Sequence, residues 1–292
     1  MKAVIGIDTA GNYVPALELY SRLSFADAEA VLLNCVESVL PDGSFPSSSS
    51  GSALARMIDE REELGRQTLR SAGEALGKSE ARALLVQGDP LRMMLSYADK
   101  ESADLLVSGT ERKGTFESFL LGSVTRGILT GSKQNLLVGK APTRGQGPVD
   151  AVLATDHSEY SNRCIERLLE LAPKGFGRIT VLTVFESSMV ETALLVRNEP
   201  SLAEMAGPWL KEHIEEANLK LCERLSPLCQ SCDQRVVEGD TNKAISEAMV
   251  ETNAELLIVG SQGHGFIERL TIGSVAFHQV VAEPYSVLVL RA

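Results

Sequence analysis

No apolar run in this 292-residue sequence approaches the ~20 residues that a membrane-spanning helix needs. The N-terminal stretch MKAVIGIDTAG also lacks the apolar core of a secretion signal, so a cytoplasmic location is the expectation. No lysine or arginine cluster is present, and the formal net charge of −11 disfavours nonspecific attraction to nucleic acid or anionic lipid. Neither nucleic acid nor membrane is an expected partner. Cysteine is scarce: five residues without an export signal read as thiols rather than as a disulfide framework. Cys229-Gln-Ser-Cys232, with Cys222 nearby, has the outline of a redox switch or half a zinc site. No further His or Cys stands beside it at ligand spacing, so reduced thiols near a helix end are the favoured reading and no metal site is expected.

Two familiar phosphate signatures are missing as well. Gly109 and Gly114 have the separation of a P-loop, but no Lys follows Gly114, and no strand-linked GxGxxG occurs. What remains has the composition of a soluble globular protein, 44% hydrophobic and 23% charged, long enough for two cores of ordinary size.

An internal repeat favours two cores. Ala3 to Ile7 reads as a strand ending in Asp8, Val14 to Leu23 as a helix with Pro15 in its first turn, and Ala30 to Val36 as the next strand. Val39 to Ser52 is rich in Pro, Gly and Ser and reads as a loop, followed by an amphipathic helix over Ala53 to Leu76. Strands at Ala83–Gln87, Leu105–Ser108 and Leu136–Val138 alternate with helices, and Lys140 to Pro148 has linker composition. The order then returns: Ala151 to Leu153 leads to Asp156, and an Ile165–Leu171 helix precedes an Ile179–Phe185 strand. Gly88-Asp89 recurs as Gly239-Asp240, Gly109 as Gly260, and Gly122-Ser123-Val124 as Gly273-Ser274-Val275. Each of these pairs is 151 positions apart, whereas Asp8 and Asp156 are 148 apart, which predicts a small insertion in the longer helical connection of the second copy. Alternating strands and helices imply parallel sheets covered on both faces, with domains at 1–140 and 149–292.

The densest chemistry lies in LLIVGSQGHGFIERLTIGSVA, from Leu256 to Ala276. A continuous apolar run ends at Gly260, the pattern of a buried parallel strand. Gly260 and Gly263 let main-chain N–H groups approach an anion, and Gly273-Ser274 open a helix whose first turn suits phosphate. Glycines at such spacing also mark plain turns.

Gly260, two residues, Gly263, nine residues, then Gly273-Ser274 resembles the spacing in the ATP-binding members of the universal stress protein family, and the repeat extends the resemblance over nearly the whole chain. It implies an adenine nucleotide alpha hydrolase-like α/β fold in each half, a five-stranded parallel sheet of order 3-2-1-4-5 with helices on both faces. It implies ATP as ligand, with Mg²⁺ arriving on the nucleotide. Ala154, Thr155 and Asp156 would take the adenine and ribose side and Val184 the adenine ring, while Gly260, Gln262, Gly263, His264, Gly273, Ser274 and Val275 would surround ribose and phosphates. The counterpart first site comprises Asp8, Val36, Gly109, Arg112, Gly122 and Ser123. Arg112 stands where the second half has Gly263, and its bulk favours a weakened or empty first site, although a guanidinium can also bind phosphate.

The function implied is a nucleotide-dependent stress-response regulator that binds ATP mainly in its second half and signals to an unidentified protein partner, with homodimerisation open. No residue stands out to activate water, so hydrolysis is slow at most. Two alternatives stay open: an ATP hydrolase or phosphotransferase, and an interaction scaffold or small-molecule carrier.

Overall fold

The computed structural model describes residues 1–37, 49–77, 81–112, 119–140, 145–185, 200–263 and 272–292. Packing separates the chain into two units, Met1–Ser21 with Ala26–Thr143 and Arg22–Phe25 with Arg144–Ala292.

In the first unit, β1 (Lys2–Gly6), β2 (Glu29–Val36), β3 (Arg82–Gln87), β4 (Leu105–Gly109) and β7 (Asn135–Gly139) form a parallel sheet in the order β3-β2-β1-β4-β7. Its helices are α1 (Val14–Leu23), α2 (Ser49–Ala75), α3 (Pro90–Lys100) and α4 (Ser123–Gly131). In the second unit, β8 (Val149–Ala154), β9 (Phe176–Phe185), β10 (Cys229–Glu238), β11 (Leu256–Gly260) and β12 (Ser286–Leu290) repeat the arrangement as β10-β9-β8-β11-β12. Helices α5 (Glu159–Leu171), α6 (Pro200–Leu225), α7 (Thr241–Glu251) and α8 (Ser274–Ala282) connect these strands. Both units have the order 3-2-1-4-5. The middles of the central strands are apolar because helices cover them: Leu105, Leu106, Leu256, Leu257 and Ile258 are wholly buried.

The repeated Gly-Asp pairs have a defined task. Gly88 and Gly239 adopt φ near +138° and +139°, a conformation that side chains resist, and their N–H groups bond to Val36 O and Phe185 O at 3.1 Å. The next residues cap helices: Asp89 accepts from Arg92 N and Asp240 from Lys243 N, both at 2.8 Å. One dipeptide therefore ends a turn and starts a helix in each half.

Three details differ from the expectations. Ser49 to Ser52 belong to α2 rather than to a loop, and 38–48 lie outside the described residues. Helix α5 starts at Glu159 rather than near Ile165, because Ser158 accepts a bond from Ser161 N (3.1 Å) and sets its N-terminus. The insertion is also split. Ile7 N to Leu33 O matches Thr155 N to Leu182 O, so the offset has already grown from 148 to 149 within the second strand, where β9 carries the extra residue between Phe176 and Ile179, opposite Val149 and Ala151 of β8. The other two residues enter between that strand and Gly239, in the helical connection.

Cys229 lies just past the end of α6, its thiol donating to the carbonyl of that helix's last residue, Leu225 (3.5 Å), and it opens β10, within which Cys232 lies. All five cysteines are free thiols, and burial pushes the pKa of Cys222, Cys229 and Cys232 upward, which keeps them protonated at neutral pH.

Gly109 and Gly260 occupy the same place at the ends of β4 and β11, but their surroundings differ. A Cβ on Gly109 would lie 1.9 Å from Asn12 O, whereas one on Gly260 would meet nothing nearer than 3.4 Å. Gly109→Ala should cost ~1–3 kcal/mol of stability through overpacking, and Gly260→Ala less than ~0.5 kcal/mol. Denaturant midpoints of the two variants measure this, and equal losses would contradict it.

Candidate functional site

In the second unit β8 lies between β9 and β11, so the chain leaves β8 toward one side of the sheet and β11 toward the other. Such a reversal opens a crevice at the carboxyl ends of the strands. A cavity of about 730 Å³ occupies this place. That is within the usual range for ligand pockets, about 300–1,000 Å³.

The described candidate residues of the second half all line this cavity. Ala154, Thr155 and Asp156 come from the end of β8, Val184 from β9, Gly260, Gln262 and Gly263 from the loop after β11, and Gly273, Ser274 and Val275 from the start of α8. His264 lies outside the described residues. Leu182, Phe185, Gly239, Thr241 and Ile245 complete the apolar side and were not foreseen. The recurrence of Gly88-Asp89 as Gly239-Asp240 was the available signal, since it placed a turn beside the second strand.

The loop is held by main-chain bonds on a residue between two predicted ones. Ser261, buried, donates from N to Leu290 O (2.8 Å) and accepts at O from Gly273 N (2.7 Å). These bonds fix the loop's start against β12 and its end against α8. The Ser261 hydroxyl pairs with Tyr160 OH at 2.6 Å, and that phenol lies within 3.5 Å of Ala292 N as acceptor. Cys164, its thiol raised to about 11 mainly by burial, donates to Leu290 O (3.5 Å) beneath the same corner. Gly273 is the N-cap of α8 without a side-chain cap bond, and the helix has no acidic residue in its first turn, which leaves its positive dipole end facing the cavity.

The opposite wall has its own support. Asp156 Oδ1 accepts from Ser158 N (3.0 Å), and Oδ2 would lie 3.4 Å from a Cβ built on Gly263. His157 is left-handed at φ +54° and bonds through Nε2 to Asn218 Oδ1 (2.7 Å). Asn218, fully buried on α6, also accepts from Thr183 Oγ1 (2.9 Å) and donates to Arg235 O (3.3 Å). Because its amide donates to that carbonyl, its oxygen accepts, and His157 carries its proton on Nε2. Residues beside both Asp156 and Val184 are thereby tied to one buried amide.

The first unit has the same crevice in reduced form. Its cavity is about 200 Å³ and includes Asp8, Gly109 and Gly122 but neither Val36 nor Ser123. Cys35, not Val36, faces it, because Gly88 N bonds to Val36 O as Gly239 N bonds to Phe185 O, making Cys35 the counterpart of Val184. One residue along a strand reverses the face. Asp8 accepts from Asn12 Nδ2 (2.5 Å) and Tyr13 N (3.3 Å), and Asn12 presses on Gly109. Arg112 falls on the short strand β5 (Glu111–Arg112), paired antiparallel with β6 (Phe119–Leu120), and its side chain lies outside the described residues.

The model of the universal stress protein family matches residues 16–140 and again 150–291. The universal stress protein MJ0531 of Methanocaldococcus jannaschii is 27% identical over 118 residues, 40% of this chain and 68% of that protein. A universal stress protein from Archaeoglobus fulgidus, known from its crystal structure, aligns over 99% of this chain and 98% of its own with a TM-score of 0.65 at 19% identity. A putative universal stress protein from Pseudomonas aeruginosa aligns over 99% and 92% with a TM-score of 0.57 at 13% identity. These similarities extend the likeness in fold to both halves.

Tyr160→Phe tests the loop's support. It leaves the buried Ser261 hydroxyl without its 2.6 Å partner, for which the expected loss is about 1–3 kcal/mol. Amide hydrogen exchange at Ser261 and Gly273 should speed up in this variant while the amides of β9 stay slow. Unchanged exchange at both would show that the phenol does not hold the loop.

Proposed function

Since the chain belongs to the universal stress protein family through both of its halves, we propose that it is an ATP-binding regulator whose nucleotide occupies the second half. The observation that supports this most is the convergence of five separated segments on one cavity of about 730 Å³, against about 200 Å³ at the equivalent place in the first half.

The chemistry of the wall suits an adenine nucleotide. Leu182, Val184, Phe185 and Ile245 offer an apolar surface for a base, and Asp156 offers carboxylate acceptor capacity for ribose or base donors. Gly260, Gly263 and Gly273 leave room that side chains would fill, so main-chain N–H groups and the first turn of α8 can approach phosphate oxygens. Gly260 is not required by packing, as its surroundings accept a Cβ. A ligand's need for close approach gives it a reason.

Mg²⁺ would accompany the phosphates, retaining waters and needing few protein ligands. Asp156 is the carboxylate on the described wall, and among the described residues no group of three His, Cys, Asp or Glu side chains could hold a metal by itself. The proposed activity is binding. Nucleotide occupancy is then the state that a partner protein reads, whether a second copy or another chain.

Calorimetry on the full chain should give one ATP per chain. Gly263→Arg places a guanidinium against Asp156 and fills the approach to the loop, so ATP affinity should fall at least about tenfold, ~1.4 kcal/mol, with the ligand-free unfolding midpoint unchanged. A folded Gly263→Arg protein with undiminished affinity would overturn the assignment. Two equivalents of ATP on the unaltered chain would overturn the preference for the second half.

A further inference from the structure

Helix α6 packs on β9 and β10 through one side only, marked by the buried Asn218, Leu221, Cys222 and Leu225. Successive residues turn by about 100° around a helix axis, so Trp209, His213, Glu216 and Lys220 fall within about 60° of one another on the opposite side. All four are exposed. Trp209, the single tryptophan of the chain, is 63% exposed. One face of its indole stacks on the His213 ring, with centroids 5.7 Å apart and planes 6° from parallel. Among the described residues no ring or cation covers the other face. Tryptophan is highly buried on average and is enriched at the centres of protein–protein interfaces, so its place on the outermost side of this helix calls for a partner.

The order of the stripe selects that partner. Read forward over three turns it is aromatic, imidazole, carboxylate, ammonium; read backward it is ammonium, carboxylate, imidazole, aromatic. A second α6 laid antiparallel therefore sets Lys220 over Trp209 and Glu216 against His213, and twofold symmetry makes each contact twice. An ammonium over the free face of an indole is attracted by the ring quadrupole. An imidazole N–H donates to a carboxylate in a charge-assisted bond. Lys220 and Glu216 now bond to each other at 2.7 Å within the helix, an exposed pair four residues apart that contributes little and is readily exchanged. A register with the axis through Glu216 would instead bring two carboxylates together, which like-charge repulsion disfavours.

We propose that the outer side of α6 is the surface by which two copies of this chain associate, antiparallel, with Trp209–Lys220 contacts at the two ends and His213–Glu216 pairs at the centre. It uses no residue of the proposed nucleotide site and does not rest on that reading. Three helical turns from each copy make an interface smaller than the ~1,200 Å² of standard complexes, so the association depends on concentration.

Trp209 is also the readout, because all tryptophan emission of the chain comes from it. The full-length chain is followed from about 1 μM to about 1 mM by sedimentation equilibrium and by fluorescence. The mass should double, and the emission maximum should move to shorter wavelength over the same range. Trp209→Ala, at an exposed position, should raise the dissociation constant at least about tenfold. Glu216→Lys should weaken association by setting an ammonium against His213, and combining it with His213→Glu should restore it, because the opposite charges then face each other in exchanged places. A double variant that stays weak overturns the antiparallel register. The inference as a whole is overturned if the mass is constant over the range, if it doubles while the emission stays in place, or if Trp209→Ala associates as readily as the unaltered chain. Short-wavelength emission from a chain of constant mass would assign the covering of Trp209 to another segment of the same chain, and overturns it equally.

Discussion

The second-half cavity depends on two main-chain hydrogen bonds made by Ser261. Its N–H group bonds to Leu290 O and its carbonyl accepts from Gly273 N. Without them the segment after β11 would have no fixed start, and α8 would not present its first turn to the crevice. Because both bonds are between backbone groups, almost any residue could make them. Serine adds the contact with Tyr160, and through that phenol the corner is braced from α5 and from the last residue of the chain. A buried hydroxyl pair is stabilising only while both members remain, so the corner is held in one arrangement.

Duplication makes the divergence measurable inside one molecule. Both halves place an Asp at the end of the first strand, a glycine at the end of the fourth, and a Gly-Ser helix start. In the first half the segment before α1 has moved onto that glycine, so close that a single methyl group would collide with Asn12. The same movement supplies the Asp8 carboxylate with Asn12 and Tyr13 N as partners. In the second half the helix begins only three residues after Asp156, and its N-cap Ser158 takes Oδ1 while Oδ2 faces Gly263. A difference of a few residues in where a helix begins therefore decides whether the crevice is filled by the chain itself or left open.

Much of this was legible in sequence because it rests on local rules. Apolar runs ended by glycine gave the central strands, the constant offset of 151 gave the repeat, and the helix over Val14 to Leu23 follows from its pattern and Pro15. The strand order came from the family resemblance. What was not legible depends on contacts between distant positions: Tyr160 meets Ser261 across 101 residues, and Asn218 meets His157 across 61. Cys35 rather than Val36 faces the first cavity, a distinction of one register position set by the Gly88 turn, whose closing bond no sequence pattern reveals. The helix end beside Cys229 was expected, but that both cysteines enter β10 was not, since a short turn after α6 leads directly into that strand.

The placement of Asp156 limits what the cavity can hold, and in which orientation. Its Oδ2 is close enough to Gly263 to lie 3.4 Å from a Cβ there, so an anion settled in the glycine loop has a carboxylate as neighbour. At ~4 Å and an effective dielectric constant of about 20, two like unit charges repel by about 4 kcal/mol. The positive end of a helix returns up to about 2 kcal/mol in a partly buried setting. Where an anion comes that close to Asp156, the dipole end of α8 alone does not offset the repulsion. A ligand avoids the conflict by directing hydrogen-bond donors at the carboxylate and its negative groups at α8, or by bringing a cation with it. A lone inorganic anion has no donor to direct at the carboxylate, whereas a molecule with a donor-bearing end and an anionic end would address both walls at once.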